Sequence, residues 1–192
     1  MKILFFDCET TGTNPELHDI TQFAAIVEID GVVKEEVNWR CQPSHWENVD
    51  PKALEVTGVS LEELRELETP DKMAKKIKRL FDKYIDKFDK NDKFFPAGHN
   101  VTFDLNFLQN FWKQHIDQYG TGSYQNWKAL DSLIFINFLM GSGRVKESTI
   151  KDRKLSTIAE WAGVELDAHD ALSDIRATRI IINRMLASLQ KK

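Results

Sequence analysis

Two acidic side chains follow an apolar run at the N-terminus in a pattern that suits a cation site. Asp7 and Glu9 come directly after the apolar residues 3–6. Side chains alternate between two faces of an extended chain, so both carboxylates point to the same side and can hold one cation. A solvated strand end is the simpler interpretation of this pair taken alone. A buried strand that ends on two acids, however, needs something to compensate their charge.

Two later stretches carry residues of the same kind. Asp104 lies in GHNVTFDLNFL, where it could hold a cation or cap the predicted helix, because a carboxylate is favoured at a helix N-terminus. His169 and Asp174 lie in HDALSDIRAT at the start of the last predicted helix. A histidine in that place is often structural, and Asp167 or Asp170 could supply the cap.

The four carboxylates, if brought together, would repel one another by roughly 1 to 4 kcal/mol per close pair. Such a cluster therefore implies cations. Hard divalent ions, Mg²⁺ or Mn²⁺, prefer oxygen ligands, whereas zinc would require more histidine or cysteine. Two such ions can clamp the attacking and leaving oxygens of a phosphodiester displacement. A neutral histidine beside them is suited to take the proton from an attacking water.

Hydrophobic periodicity predicts three strands first and then strands alternating with helices. Residues 3–7 form the first predicted strand, and DITQFAAIVEIDGVVKEEVNWRCQP holds two more that turn at Asp30-Gly31. KFFPAGHN holds a fourth short strand. The predicted helices are 51–56, 61–67, 70–88, one from Phe103, 155–162 and 171–189. This order predicts an α/β fold in which a mixed β-sheet is flanked by α-helices, with ligands at the strand ends.

Composition limits the class of protein. A chain of 192 residues with 42% hydrophobic residues predicts one folded domain over residues 1–192. Cys8 and Cys41 lie far apart and form no CxxC pair, and no signal peptide or membrane span is evident, so we expect a soluble, cytoplasmic protein. A net charge of −4 argues against a large basic surface, but not against nucleic acid bound by metals and local basic groups.

In this order the motifs resemble the DEDD superfamily of 3′-to-5′ exonucleases, in its histidine subtype, the DnaQ-like group that includes proofreading exonucleases. FDCETTG is similar to the first motif, GHNVTFDLNFL to the second and HDALSDIRAT to the third. VDPKALEVTGVS and KLSTIAEWAGVE resemble the segments that precede the second and third motifs. The resemblance implies a ribonuclease H-like fold and two divalent ions, Mg²⁺ or Mn²⁺. The implied catalytic residues are Asp7, Glu9, Asp104, His169 and Asp174.

The family assigns a role to each of these residues. Asp7 would bridge both metals, while Glu9 and Asp174 would hold the metal that activates water. Asp104 would help to hold the metal near the leaving oxygen, and His169 would be the general base. The implied activity is hydrolysis from the 3′ end of single-stranded nucleic acid, with DNA favoured, to give nucleoside 5′-monophosphates. The alternatives are an exonuclease of RNA or oligoribonucleotides and a nucleic-acid-binding domain without catalysis.

Substrate contacts are predicted around the first motif and in three other segments. The backbone of residues 10–13 would approach the terminal nucleotide, with Gly12 allowing close passage. Thr57-Gly58-Val59 stands where many family members have His-Gly-Ile, which leaves open how the last base is held. The predicted substrate-binding residues are Thr10, Thr11, Gly12, Thr13, Thr57, Gly58, Trp46 and Lys154.

The chain ends soon after the last predicted helix. It therefore shows no tail like the one that docks some proofreading subunits onto a polymerase, and we expect a free-standing enzyme. Neither the oligomeric state nor a polymerase partner follows from the sequence.

Overall fold

The strand that carries Asp7 and Glu9 is the central strand of a mixed sheet. The computed structural model describes residues 1–166 and 170–190. The strands in these ranges are β1 (Lys2–Thr10), β2 (Ile20–Ile29), β3 (Val32–Arg40), β4 (Phe95–Gly98) and β5 (Leu130–Asp131). Their order across the sheet is β3-β2-β1-β4-β5. β2 is antiparallel to β1 and β3, whereas β4 is parallel to β1 and β5. The predicted α/β fold with a mixed sheet is confirmed.

Helices cover both faces of this sheet. The described α-helices are α1 (Pro51–Thr57), α2 (Leu61–Arg65), α3 (Pro70–Tyr84), α4 (Val101–His115), α5 (Ser132–Gly141), α6 (Leu155–Ala162) and α7 (Ala171–Gln190). Of these, none is both long and apolar enough to cross a membrane.

Alternate residues of β1 enter two different hydrophobic clusters. Leu4, Phe6 and Cys8 pack with residues of α3 and α4, while Ile3 and Phe5 pack with residues of α7. Because side chains alternate along a strand, Asp7 and Glu9 continue the face that α7 covers. The period of two therefore directs both acids toward the helix that carries Asp174.

The predicted turn at Asp30-Gly31 joins β2 to β3. Both residues have positive φ, 52° and 81°. Two consecutive residues with positive φ are what a two-residue hairpin of type I′ requires, and Gly adopts that conformation without strain.

The end of α3 differs from the prediction. The helix ends at Tyr84, four residues before the predicted end at Phe88, whose side chain is exposed. Asp86 accepts a hydrogen bond from the N–H of Phe88, and Asp89 accepts one from the N–H of Asn91. These local bonds offer the backbone an alternative to the helix. The helix therefore ends before the helical spacing of apolar residues does.

The start of α4 also differs, by two residues. The helix begins at Val101, not at Phe103. Asn100 has a φ of 57°, and the carboxylate of Asp131 accepts hydrogen bonds from the N–H groups of Asn100 and Val101, at 3.0 Å each. Asp131 at the end of β5 thus satisfies the first donors of the helix in place of a local cap.

Candidate carboxylate site

Asp7, Glu9 and Asp174 meet at the end of β1. One carboxylate oxygen from each lies within 4.8 Å of those from the other two. Asp7 and Glu9 are in the site because they face α7, and Asp174 is there because it lies in the first turn of that helix. The structure thus brings together three of the four predicted metal ligands.

Asp104 approaches the same strand end from α4. Its side chain is buried, and its Oδ1 accepts a hydrogen bond from the N–H of Cys8 at 3.0 Å. β4 pairs with β1 only along Ile3–Phe5, so beyond that point the edge of β1 is open to this contact. Asp104 also adds to the negative field at Asp7. The fourth predicted ligand therefore lies beside the cluster and is fixed to the backbone between Asp7 and Glu9.

Burial and mutual repulsion both disfavour charge on these carboxyl groups. Burial raises the pKa of Asp7 well above its usual value, and the charges of Asp104, Glu9 and Asp174 raise it further. Burial, followed by the charges of Asp174 and Asp170, raises the pKa of Glu9 to about 7. The pKa of Asp104 is raised mainly by burial, although its hydrogen bond from Cys8 acts in the opposite direction.

The donor set fits a hard divalent cation. The three oxygens that converge are all carboxylate oxygens, the ligands preferred by Mg²⁺ and Mn²⁺. A bound cation would favour the ionised forms that burial and repulsion disfavour. Such a cation would offset the cost of placing several acids at the end of a buried strand.

A cavity of about 350 Å³ opens beside Glu9. Four predicted substrate-binding residues, Thr10, Gly12, Thr13 and Thr57, line it. Some lining residues were not predicted as contacts. Val56 and Phe103 form an apolar wall, and the others are Cys8, Asp50, Lys52 and Ala53. The size is within the range of small-molecule sites.

Thr11, another predicted substrate contact, lies outside the residues that line this cavity, and its role in substrate binding stays a prediction. Its side chain is fully buried, and its Oγ1 accepts a hydrogen bond from the N–H of Asp19 at 2.9 Å. The Thr11 N–H donates to the Asp19 carbonyl, and the Thr11 carbonyl accepts from the N–H of Asp50. All these groups are used to hold the loop after β1.

Gly12 has little space around it, because His18 lies close to it in the same loop. A Cβ at this position would lie 2.4 Å from Cδ2 and Nε2 of His18. The close passage that glycine allows here is that of the His18 ring, within the same loop. The backbone conformation itself would accept other residues, since Gly12 is not among the glycines with positive φ.

Three other predicted contacts lie outside the residues that line this cavity. Gly58 ends α1 with a φ of 67°, the half-buried Trp46 packs under the Arg65 guanidinium, and Lys154 is exposed just before α6. Their roles in substrate binding stay predictions. His169, the predicted general base, and Asp167, an alternative cap, lie outside the described residues. Asp170 caps α7, because its Oδ1 accepts from the N–H of Ser173 at 2.9 Å.

The sequence reasoning missed Arg40 at the end of β3. The sheet register aligns Glu9 with Gln22 and Gln22 with Arg40 across three adjacent strands. The positive charge of Arg40 lowers the pKa of Glu9, against the larger raising effects. The only signal in the sequence was the β2–β3 hairpin, whose register would have placed Arg40 in the same row across the sheet as Glu9.

The comparisons with known proteins agree with the fold. The family model described as Exonuclease (RNase_T) matches residues 4–182. The chain is 31% identical over 195 residues to exodeoxyribonuclease I of Buchnera aphidicola, and 30% identical over 189 residues to that of Escherichia coli K12. These matches cover 93% and 91% of this chain and 38% of each relative.

A solved structure shows the same architecture. The zinc-bound form of the E. coli exonuclease I complex with single-stranded DNA superposes with a TM-score of 0.78 at 26% identity, covering 100% of this chain and 41% of that one. This likeness confirms the ribonuclease H-like fold. The chain thus spans about two fifths of the length of these relatives.

The fold and the carboxylate cluster together define a nuclease-type α/β domain of the DnaQ-like DEDD superfamily, which confirms the resemblance seen in the motifs. Within that superfamily, the chain belongs to the Exonuclease (RNase_T) family.

Proposed function

We propose that residues 1–192 act as one exonuclease domain that hydrolyses single-stranded DNA from its 3′ end and releases nucleoside 5′-monophosphates. The observation that carries this proposal is the meeting of Asp7, Glu9 and Asp174 oxygens within 4.8 Å, next to a cavity large enough for a nucleotide. The choice of DNA is supported by the exonuclease I relatives, one of which was solved with single-stranded DNA.

We assign to these residues the roles that the family resemblance implies. Asp7, at the centre of the carboxylates, would help to hold both divalent ions, Mg²⁺ or Mn²⁺. Glu9 and Asp174 would hold one ion and Asp104 would help to hold the other. Bound there, the ions would activate a water and offset the charge that develops on the phosphate. A zinc-bound form of the E. coli relative supports a divalent cation in this fold.

The remaining groups of the site would place the strand end. Phe103 and Val56 offer an apolar wall for the last base, and Lys52 offers a positive charge for a phosphate. His169 is proposed as the general base that takes the proton from the attacking water. The side chains of Thr10 and Thr57 also line the cavity, but both hydroxyls donate to backbone carbonyls, those of Gly12 and Ala53.

A time course on end-labelled strands tests the proposal. With Mg²⁺ or Mn²⁺, a 5′-labelled DNA single strand should shorten stepwise, while a 3′-labelled strand should release labelled mononucleotide at once. Asp7→Ala should lower the rate by about a thousandfold or more, because the ligand central to the site is lost. Asp89→Asn is the matched control, since Asp89 is exposed in the loop that precedes β4, at the opposite end of that strand.

Each other outcome has a definite meaning. Shortening of RNA alone would replace DNA by RNA as the substrate. Shortening from the 5′ end would contradict the proposed polarity. Equal activity in the Asp7→Ala and wild-type proteins would contradict the assigned site, and a lack of activity on both strands would favour a domain that binds without catalysis.

A further inference from the structure

A second cleft lies on a different side of α4 from the carboxylate site. It has a volume of about 570 Å³, larger than the cavity beside Glu9. Thr102, Asn106 and Gln109 contribute one helix face to it, whereas Phe103 faces the cavity beside Glu9. Residues three and four apart share a helix face, so this cleft follows α4 for about 10 Å from its first turn. We call it the α4 cleft.

Two aromatic side chains at the α4 cleft are open to solvent. Trp127 is 90% exposed and Tyr119 is 80% exposed. Large aromatic rings usually bury most of their surface, so a pair exposed beside one cleft points to a ligand with flat apolar faces. Nucleobases have such faces, and exposed aromatics are the usual platform on which single strands stack.

The polar lining of the α4 cleft suits a nucleotide as well. Asn106, Gln109, Gln125 and Asn126 bring carboxamides, a group that can both donate to and accept from base edges. Gln109 already accepts from Thr121, and Asn126 already donates to the Phe94 carbonyl. Lys93 adds a positive charge, and none of the described residues that line the cleft is acidic. In a chain with 30 acidic and 26 basic residues, a cleft without carboxylates is compatible with a polyanion.

The side chain of Gln125 is a second, independent indication that the α4 cleft binds a ligand. Its side chain is 6% exposed, and its Nε2 donates to Oγ1 of Thr121 at 2.9 Å. Its Oε1 is buried and has no hydrogen-bond partner among the described residues. A buried polar atom without a partner costs stability, and a donor group on a bound molecule would satisfy it once the Gln125 side chain turns toward the cleft that it lines.

We propose that the α4 cleft binds a nucleotide of the single strand whose 3′ end lies in the carboxylate site. This inference rests on the proposed function. The first turn of α4 supplies Thr102 to the cleft and Asp104 to the carboxylate site, so both sites draw a residue from the same helix turn. A strand with its 3′ end at Asp7 must continue in the 5′ direction, and the cleft accommodates a base several nucleotides from that end.

Binding of oligonucleotides of different lengths tests the α4 cleft. The double variant Tyr119→Ala/Trp127→Ala, placed in an Asp7→Ala background to prevent hydrolysis, should bind a long thymidine strand roughly five- to a hundredfold more weakly, as expected for the loss of base stacking. Binding of a dinucleotide should not change. Fluorescence anisotropy measures both, and Gln125→Leu should weaken long-strand binding in the same direction.

Two controls show whether a loss of binding is specific to base stacking in the α4 cleft. Phe88→Ala removes another exposed aromatic, 86% exposed in the loop after α3, and should leave binding unchanged. An abasic strand of equal length should bind the double variant and its Asp7→Ala parent equally, because it lacks bases to stack. Unchanged long-strand binding in the double variant would overturn the proposal, as would equal weakening for the abasic strand.

A minimal substrate separates this inference from the proposed function. The p-nitrophenyl ester of thymidine 5′-monophosphate needs only the carboxylate site. With Asp7 intact, the double variant should hydrolyse it at the wild-type rate while kcat/KM on long strands falls. If wild-type protein does not hydrolyse the ester or the strands, the proposed function fails, whereas wild-type kcat/KM on long strands in the variant contradicts the cleft alone.

Discussion

The carboxylate of Asp104 accepts a hydrogen bond from the main-chain N–H of Cys8 at 3.0 Å, across 96 positions of sequence. This bond joins the first turn of α4 to the strand that carries Asp7 and Glu9. Asp104 was predicted as a metal ligand, with helix capping as the alternative. The structure shows a third role, because the residue also satisfies a buried donor of β1 and so sets the distance between helix and strand.

The two roles of Asp104 can be separated by substitution. Asp104→Asn keeps an oxygen that can accept from Cys8 and removes a buried charge, whereas Asp104→Leu leaves the Cys8 N–H without its partner. We expect the Asn variant to be more stable than the Leu variant by about 1 to 3 kcal/mol. Urea unfolding in metal-free buffer measures this difference. Equal stability of the two variants would show that the hydrogen bond contributes nothing, and both should lose nuclease activity.

Glu9→Gln should raise the stability of the metal-free protein. The substitution removes one charge from a buried cluster in which burial and repulsion raise the pKa of Glu9 to about 7. The gain is expected to be on the order of 1 to 3 kcal/mol at neutral pH, or a few degrees in Tm.

Millimolar Mg²⁺ or Mn²⁺ should then reverse the order, because ligand binding to the native state stabilises the wild-type protein more than the variant. Thermal melting with and without metal tests both parts. Glu55→Gln, an exposed glutamate of α1, is the control and should melt like the wild type under both conditions. A metal-induced shift of equal size in Glu9→Gln and wild type would contradict the role of Glu9 as a ligand.

Gly12→Ala should disturb the loop after β1 through His18. The added methyl would lie 2.4 to 2.6 Å from atoms of the imidazole ring, so the ring must move. Overpacking of this kind costs about 1 to 3 kcal/mol, and we expect KM for DNA strands to rise because Gly12 lines the cavity beside Glu9. The double variant Gly12→Ala/His18→Ala should recover much of the loss, as measured by steady-state kinetics and melting. Absence of recovery would mean that glycine is needed here for substrate approach.

The sequence predicted the elements that follow one clear period. β1, the hairpin at Asp30-Gly31 and the helix 155–162 were all recognisable, because alternation, turn residues and helical spacing each act over a few neighbouring residues. β5 and α5 share one apolar stretch, where periodicity alone cannot separate a buried strand from a buried helix. The early end of α3 depends on aspartate side chains that accept hydrogen bonds from nearby backbone N–H groups. The spacing of hydrophobic residues gives no information about these bonds.

The residues of the candidate site also divide into those that a sequence pattern predicts and those that depend on tertiary contacts. Asp7, Glu9 and Asp174 were predicted from their motifs, and the period of two explains why the first two face α7. The buried state of Thr11 depends on Asp19, eight positions away across an irregular loop, and no periodic pattern encodes that contact. The influence of Arg40 on Glu9 required the register of three strands. Side chains that act through tertiary contacts were therefore the ones that sequence reasoning missed.

His45 should make a small part of the stability depend on pH. A hydrogen bond from its ring to Asp19, together with the charges of Asp19 and Glu47, raises the pKa of His45 above its ordinary value of 6.5. A pKa that is higher in the folded state favours folding while the histidine is protonated. This stabilisation is complete below pH 6.5 and disappears as the pH rises through the folded-state pKa. Asp19 also accepts a hydrogen bond from the main-chain N–H of His45 at 2.7 Å. The bond from the His45 ring is therefore a second contact between the same two residues.

His45→Gln should remove this pH-dependent part and leave the main-chain bond in place. In metal-free buffer, the Tm of the wild-type protein should exceed that of the variant at about pH 5.5, and the difference should shrink toward about pH 8.5. The effect is small, because the His45 side chain is 42% exposed and water screens the pair. Asp19→Asn should abolish the same pH dependence and also lower Tm at high pH, since Asp19 bonds to the backbone of His45. A difference that grows with rising pH would show that the ring is held in its neutral form.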